Sequence, residues 1–302
     1  MYINRPVDLY IIGCGGVGGY ITNMLPMNIA SLSLDALDAL SENSPNSRLI
    51  TSESVLNSEV FTSIPLVVNK LVLIDGDTFD NKNTIRQANK TNIHGGKVAQ
   101  RISDINGSIL RNTYLQNLKI FGFNKYINPG NIEKIITKKG TIYEYSISPD
   151  NKFIESPIPV VFLCVDNKKT RYEVFKYMET FDDCLVLNGG NDKLTGHVTV
   201  YERSNGIALD PTLYELYPEI KDPDDLRPDE VECGVVAAKH DQIAITNSII
   251  ANIMLACFNR WFRIGLYEIK NEKINIDKRK NEILIDTNNM SMMCLNHKKK
   301  EV

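Results

Sequence analysis

Residues 7–27 read VDLYIIGCGGVGGYITNMLPM. A short apolar run ends at Gly13 and gives way to a glycine-rich turn that opens a helical pattern. Such a run closed by glycines is typical of a strand buried in a parallel sheet. Gly13 allows a tight turn, Gly15 and Gly16 let the backbone come close to a ligand, and Gly18 lets helix and strand pack. The amides at the start of the following helix favour an anion such as phosphate. Folds that bind NAD, FAD or ATP share this turn, and a purely structural glycine turn looks the same. Pro26 is expected to kink the helix or mark its end.

Working outward, LVVNKLVLID (66–75), IPVVFLCVD (158–166) and CLVLNGG (184–190) read as further buried strands. GHVTVYER (196–203) alternates and reads as a half-exposed strand, and TYLQNLKIF (113–121) is a strand candidate. Helical patterns fall at 95–106, with Val98, Ile102 and Ile105 on one face, and at 128–140, 170–180 and 238–264. Strands alternating with helices predict an α/β fold. The expected architecture is a Rossmann-like, mostly parallel sheet with flanking helices, extended by a C-terminal helix and a small β extension. Residues 1–204 form the core unit, with an insertion at about 31–66 that begins with Leu32, Leu34, Leu37 and Leu40 at nearly helical spacing. The proline-rich, acidic 205–237 reads as a crossover or linker loop. Residues 238–302 pack on the same unit and include a small hairpin at 274–290.

The bulk numbers exclude several functions. The chain has 302 residues, a formal net charge of −3 and 43% hydrophobic residues. It lacks the basic excess of a nucleic-acid or membrane-surface binder. The N-terminus carries no signal-peptide pattern. The longest apolar stretch, 243–266, is interrupted by Asn247, Asn252, Asn259, Arg260 and Arg263, and so reads as a buried helix. Six cysteines without a CxxC pair argue against zinc and against a disulfide scaffold. A cytoplasmic, reduced protein is expected.

Behind the second strand, LVLIDGDTFDNKNTIRQ (71–87) places Asp75, Asp77, Asn83, Arg86 and Gln87 close together. In a dinucleotide-binding fold the acid at this strand end comes about 20 residues after the glycines. Asp75 comes much later, and the 31–66 insertion accounts for the gap. GGK (95–97) follows, and LCVDNKKTRYE (163–173) brings Asp166, Asn167 and Arg171 to the end of the third strand.

These motifs, taken in order, resemble the ThiF/MoeB family of the ubiquitin-activating-enzyme superfamily. The likeness spans most of 7–200 and a helix near 240–260, with LNGG and GHV as weaker matches. It implies an enzyme that uses ATP and Mg²⁺ to adenylate the C-terminal glycine carboxylate of a small ubiquitin-like or sulfur-carrier β-grasp protein, releasing pyrophosphate. It implies a nucleotide site built from Gly13, Gly15, Gly16, Gly18, Asp75, Asp77, Asn83, Arg86, Gln87, Lys97, Asp166 and Asn167. The physical roles agree. Arg86 chelates phosphate oxygens and Lys97 acts as a point charge on the α-phosphate. A carboxylate beside phosphates needs a cation between them, so Asp166 reads as a Mg²⁺ ligand. Asp75 accepts from the ribose hydroxyls, and Asn83 bonds phosphate. Catalysis rests on orientation and charge neutralisation.

The resemblance further implies a homodimer, a conjugating-enzyme or sulfur-transfer partner, and in some members a thioester on a cysteine. Cys233, in DEVECGVVAAKH (229–240), holds a plausible crossover-loop position for such a nucleophile and reads equally as a buried structural cysteine. Cys14, Cys164, Cys184 and Cys257 read as packing residues, and His94 and His240 as structural ones. The long insertion, the long 107–157 connection, the missing zinc cysteines and the missing N-terminal helix depart from the family. Arg5 alone stands where a partner's arginine is lent. These departures resemble divergent bacterial or phage-encoded members. Two readings stay open beside the main one: an NAD(P)-dependent oxidoreductase, and adenylation of a peptide or non-protein carboxylate.

Overall fold

The computed structural model describes residues 7–42, 68–79, 96–109, 115, 118–138, 143–148, 151–221, 244–269 and 281–298. Strand β1 (Val7–Ile12) is buried along its whole length. It lies between β2 (Val68–Ile74) and β6 (Ile158–Leu163), parallel to both, with Leu9 opposite Leu71 and Val160. β3 (Lys119–Phe123) continues the parallel run beyond β2, and β7 (Cys184–Asn191) continues it beyond β6. The parallel order is therefore β3-β2-β1-β6-β7. The direction of strand addition reverses between β1 and β6, which opens a crevice at their C-terminal ends.

Past β7 the sheet turns antiparallel. β8 (Thr195–Ser204) pairs with β7, the two-residue β9 (Ile207–Ala208) pairs with β8, and the hairpin of β10 (Glu282–Asp286) and β11 (Ser291–Leu295) closes that side. The hairpin expected over 274–290 is shifted: its strand 282–286 pairs with 291–295, beyond the expected range, and joins the main sheet, while 274–280 lies outside the described residues. Asp286 Oδ1 accepts from the N–H groups of Asn288 and Asn289 at 2.9 and 3.0 Å and shapes its turn.

Alternation along each parallel strand sends side chains to two cores. Leu9, Ile11, Leu71, Leu73, Val160 and Phe162 meet the helices α1 (Gly16–Glu42), α2 (Lys97–Ile109) and α6 (Ala244–Ile269). Tyr10, Ile12, Val72, Ile74, Val161 and Leu163 meet α3 (Ile132–Ile135), α4 (Lys168–Met178) and α5 (Leu213–Leu216). α1 passes through Pro26 and runs on to Glu42, so Pro26 does not mark its end. The Leu-rich start of the 31–66 segment belongs to this helix. α6 lies along α1, joined by an Arg263–Asp35 ion pair at 2.7 Å.

Local sequence misplaced several short pieces. The strand expected at 113–121 sits at Lys119–Phe123, and the helix expected over 128–140 is reduced to Ile132–Ile135. β4 (Tyr143–Ser148) and β5 (Asn151–Glu155) form a separate hairpin that periodicity did not reveal. Residues 205–221, expected as loop, hold β9, α5 and a 3₁₀ turn (Pro218–Ile220), with Leu213, Tyr214 and Ile220 buried. No helix among the described residues is long and apolar enough to cross a membrane.

Candidate functional site

A cleft of about 1070 Å³ lies over the C-terminal ends of β1, β2 and β6, at the switch in strand order. Its floor begins with the glycine turn. Gly13 adopts φ 89° and donates to the Ile74 carbonyl at 2.9 Å, so the turn is tied to the neighbouring strand. A side chain at Gly13 would meet the Cys164 carbonyl at 2.7 Å, and one at Gly18 would meet the Gly13 carbonyl at 1.9 Å. Gly18 therefore lets the helix start sit against the strand end, as expected. Gly16 differs. Its Cα faces α6, where a Cβ would lie 2.6 Å from Asn247 Nδ2, so close approach to protein fixes this glycine.

Asp75 ends β2 and is buried. Its Oδ2 accepts from the Cys14 N–H at 2.6 Å and its Oδ1 from the Asp77 N–H at 2.8 Å. Burial raises its pKa above the usual carboxylate value, and the nearby charge of Lys97 pulls it back only in part. Asp77 stands beside it and pairs with Lys97 Nζ at 2.6 Å, while its other oxygen accepts from the Tyr126 hydroxyl. Burial pushes the Asp77 pKa up, but Lys97 outweighs it and holds the carboxyl below its ordinary value. Lys97 is the first residue of α2, and its backbone N–H bonds the Asp77 carbonyl at 3.0 Å. Both ends of Lys97 are thus anchored on Asp77.

Across the cleft, Asp166 is exposed beyond the end of β6. Asn167 caps α4, its Oδ1 accepting from the Thr170 N–H at 2.8 Å, so this oxygen is engaged by the helix start. Arg171, one turn on, is buried and donates to the Val165 and Gly189 carbonyls and to Asn188 Oδ1, all between 2.6 and 3.1 Å. It joins the Asp166 loop to β7. The far half of the cleft is walled by Gly190, Gly196, His197, Tyr217, Leu284 and Met293.

The structure thus brings Gly13, Gly15, Gly16, Asp75, Asp77, Lys97, Asp166 and Asn167 to one cleft. Asn83, Arg86, Gln87 and Cys233 lie outside the described residues, as do Arg5, His94 and His240. Cys14 and Cys184 are buried, and Cys164 and Cys257 pack against the core. Burial carries the thiols of Cys164 and Cys184 up to about 12, which suits packing and not nucleophilic work. Sequence reading missed three residues near the site. His197 lines the far half, Asn247 abuts Gly16, and Arg101 lies fully buried behind the turn. The sequence carries no signal for Arg101; only packing brings it under Gly19, where a Cβ would lie 2.3 Å from the guanidinium.

The fold resembles those of PaaA and MccB. The crystal structure of PaaA with selenomethionine matches at a TM-score of 0.54 and 14% identity, over 97% of this chain and 74% of PaaA. That of E. coli MccB matches at 0.54 and 15%, over 99% of this chain and 65% of MccB. MccB with succinimide matches at 0.53 and 14%, over 100% of this chain and 66% of MccB. The chain thus spans slightly less than two thirds of MccB. No protein-family model and no curated protein matches the sequence. At these identities the likeness concerns the fold, and it agrees with the Rossmann-like α/β architecture read from the sequence.

Proposed function

We propose that the cleft binds ATP and that the chain adenylates the terminal carboxylate of a peptide or small protein. The observation that carries this reading is the glycine turn at the strand-order switch, with the Lys97 ammonium on one side and the exposed Asp166 on the other. Among the proteins of similar fold, MccB has been crystallised with ATP and with MccA, and is described as a microcin C7 biosynthetic enzyme. These complexes favour a peptide substrate. The narrower reading, a ubiquitin-like or sulfur-carrier protein ending in glycine, rests on the order of the sequence motifs, as do a homodimer and a thioester on Cys233.

In the proposed reaction a carboxylate oxygen attacks the α-phosphorus. An acyl–phosphate bond forms, the α–β phosphoanhydride bond breaks, and pyrophosphate leaves with the electron pair. The glycine-turn amides and Lys97 face the phosphates, with Arg86 and Asn83 assigned there from their motif. An exposed carboxylate at the end of β6 fits Mg²⁺, which is held by one or two carboxylates together with substrate phosphates. Asp166 is the residue that would hold it, and the ion would neutralise phosphate charge. Asp75 holds the turn with both oxygens, and its remaining lone pairs accept from the ribose.

Calorimetric titration with Mg-ATP and, separately, with NAD tests the reading. Mg-ATP should bind the wild-type chain and lose affinity in Asp166→Ala, after which ATP–pyrophosphate exchange with added peptides would identify the acceptor. Binding of NAD with no ATP signal overturns adenylation in favour of an oxidoreductase.

A further inference from the structure

The backbone of Cys14 is held through both of its polar groups. Its N–H donates to Asp75 Oδ2 at 2.6 Å, and its carbonyl accepts from Arg101 Nε at 3.2 Å. Arg101 comes from the second turn of α2 and is completely buried. Its guanidinium lies over the Phe79 ring at 5.1 Å and 3.9 Å from Asp104. It fits there because Gly19 has no side chain. A planar trans peptide points its carbonyl and its next N–H in opposite directions. With the Cys14 carbonyl held inward on Arg101, the Gly15 N–H is turned outward, on the side of the cleft that Gly15 lines.

We propose that Arg101 is a positioning residue of the nucleotide site, which fixes the Cys14 carbonyl inward so that the Gly15 N–H is presented to the phosphates. The inference rests on the ATP reading above. The guanidinium stays protonated even when buried, so it also places a positive charge directly behind the turn. Both effects act on phosphate and neither acts on a nucleoside. An arginine that merely filled space would affect the two ligands alike. Lysine cannot reproduce the arrangement, because it lacks the planar fork that meets the carbonyl while lying flat under Gly19.

The test compares Mg-ATP and adenosine binding to wild type, Arg101→Lys and Gly19→Ala, the last chosen to push the guanidinium aside. Both variants should weaken Mg-ATP about 10- to 100-fold, the range for a lost hydrogen bond to a charged group, and leave adenosine affinity within about twofold. Equal losses for both ligands, or none for Mg-ATP, overturn the role of Arg101. Should the variants fail to fold, ¹⁵N spectra of wild type decide: the Gly15 amide must shift with Mg-ATP and stay put with adenosine. A Gly15 amide unmoved by bound Mg-ATP refutes the proposal. Wild type that binds no Mg-ATP refutes the ATP reading itself, a different result from bound Mg-ATP that is indifferent to Arg101.

Discussion

Lys97 and Asp77 hold each other twice, through the 2.6 Å ion pair of their side chains and through the 3.0 Å bond from the Lys97 N–H to the Asp77 carbonyl. The lysine side chain is nearly buried at 8% exposure, whereas that of Asp77 is 45% exposed. The lysine therefore depends on the aspartate more than the reverse. A phosphate entering the cleft would share the ammonium with Asp77, and Tyr126 steadies the carboxylate from the other side.

Replacing Lys97 with Met should reveal both relationships. With the cation gone, burial acts on Asp77 against only the smaller effect of the Tyr126 hydrogen bond, and its pKa should move from below to above the ordinary carboxylate value. In wild type the depressed pKa stabilises the fold above the ordinary carboxylate pKa, and this contribution is lost as pH falls through the folded-state value. The variant should lose that acid sensitivity. Carboxyl NMR titration of Asp77 reads the shift directly, and Mg-ATP affinity should fall about 10- to 100-fold.

Asp75 should tolerate substitution worse than its end-of-strand position suggests. Both oxygens accept backbone N–H groups, from Cys14 and Asp77. Asn would turn an amide NH₂ against one of these donors, leaving it buried and unpaired. The expected destabilisation of Asp75→Asn is about 1–3 kcal/mol, measured by urea denaturation at pH 7. It is partly offset because burial makes the wild-type charge unfavourable. An unchanged midpoint would mean that the Cys14 peptide is held by other contacts.

The parts of the site legible in the sequence are those set by local chemistry. The apolar runs that form β1, β6 and β7, the glycines of the turn, and the acids at strand ends all carry their pattern within a few residues. Arg101 is hidden because a charged residue on an amphipathic helix reads as solvent-facing, and only the contact with the α1 start shows otherwise. The same holds for Gly16, whose neighbour Asn247 lies on α6 and comes close only through tertiary packing. The antiparallel continuation is half visible: the sequence pattern suggests a hairpin ending at 290 but shows neither its true second strand at 291–295 nor the pairing with β8. Four-residue α3 and α5 have too few turns to impose a period. Proline content misleads at 211–218, since a proline limits hydrogen bonding without forbidding burial.

Two glycine-to-alanine substitutions should move stability in opposite directions. At Gly18 the new Cβ would lie 1.9 Å from the Gly13 carbonyl, a backbone atom that cannot yield without opening the turn. A loss of about 1–3 kcal/mol or more is expected, together with loss of Mg-ATP binding. Gly107, inside α2, has nothing within 4 Å of the place a methyl group would occupy, and Gly107→Ala should stabilise by about 0.4–1 kcal/mol. Thermal unfolding of the pair separates contact from propensity.

His197 gives the far half of the cleft its own pH signature. Burial, helped by the charge of Arg171, lowers its pKa from 6.5 to about 4, against the smaller pulls of Glu282 and Asp192. Its ring lies 5.4 Å from that of Tyr217, in space left by Gly190. Between these two pKa values the unfolded chain binds a proton that the folded chain refuses. Stability should therefore rise with pH across that window and fall on acidification, by about 2 kcal/mol between pH 7 and pH 4.5. His197→Gln removes the titrating group, so the difference between variant and wild type isolates it from the carboxylates. Urea denaturation at both pH values should show the wild-type loss shrinking by that amount in the variant. Equal losses would mean that His197 titrates near 6.5 and reaches solvent through the cleft.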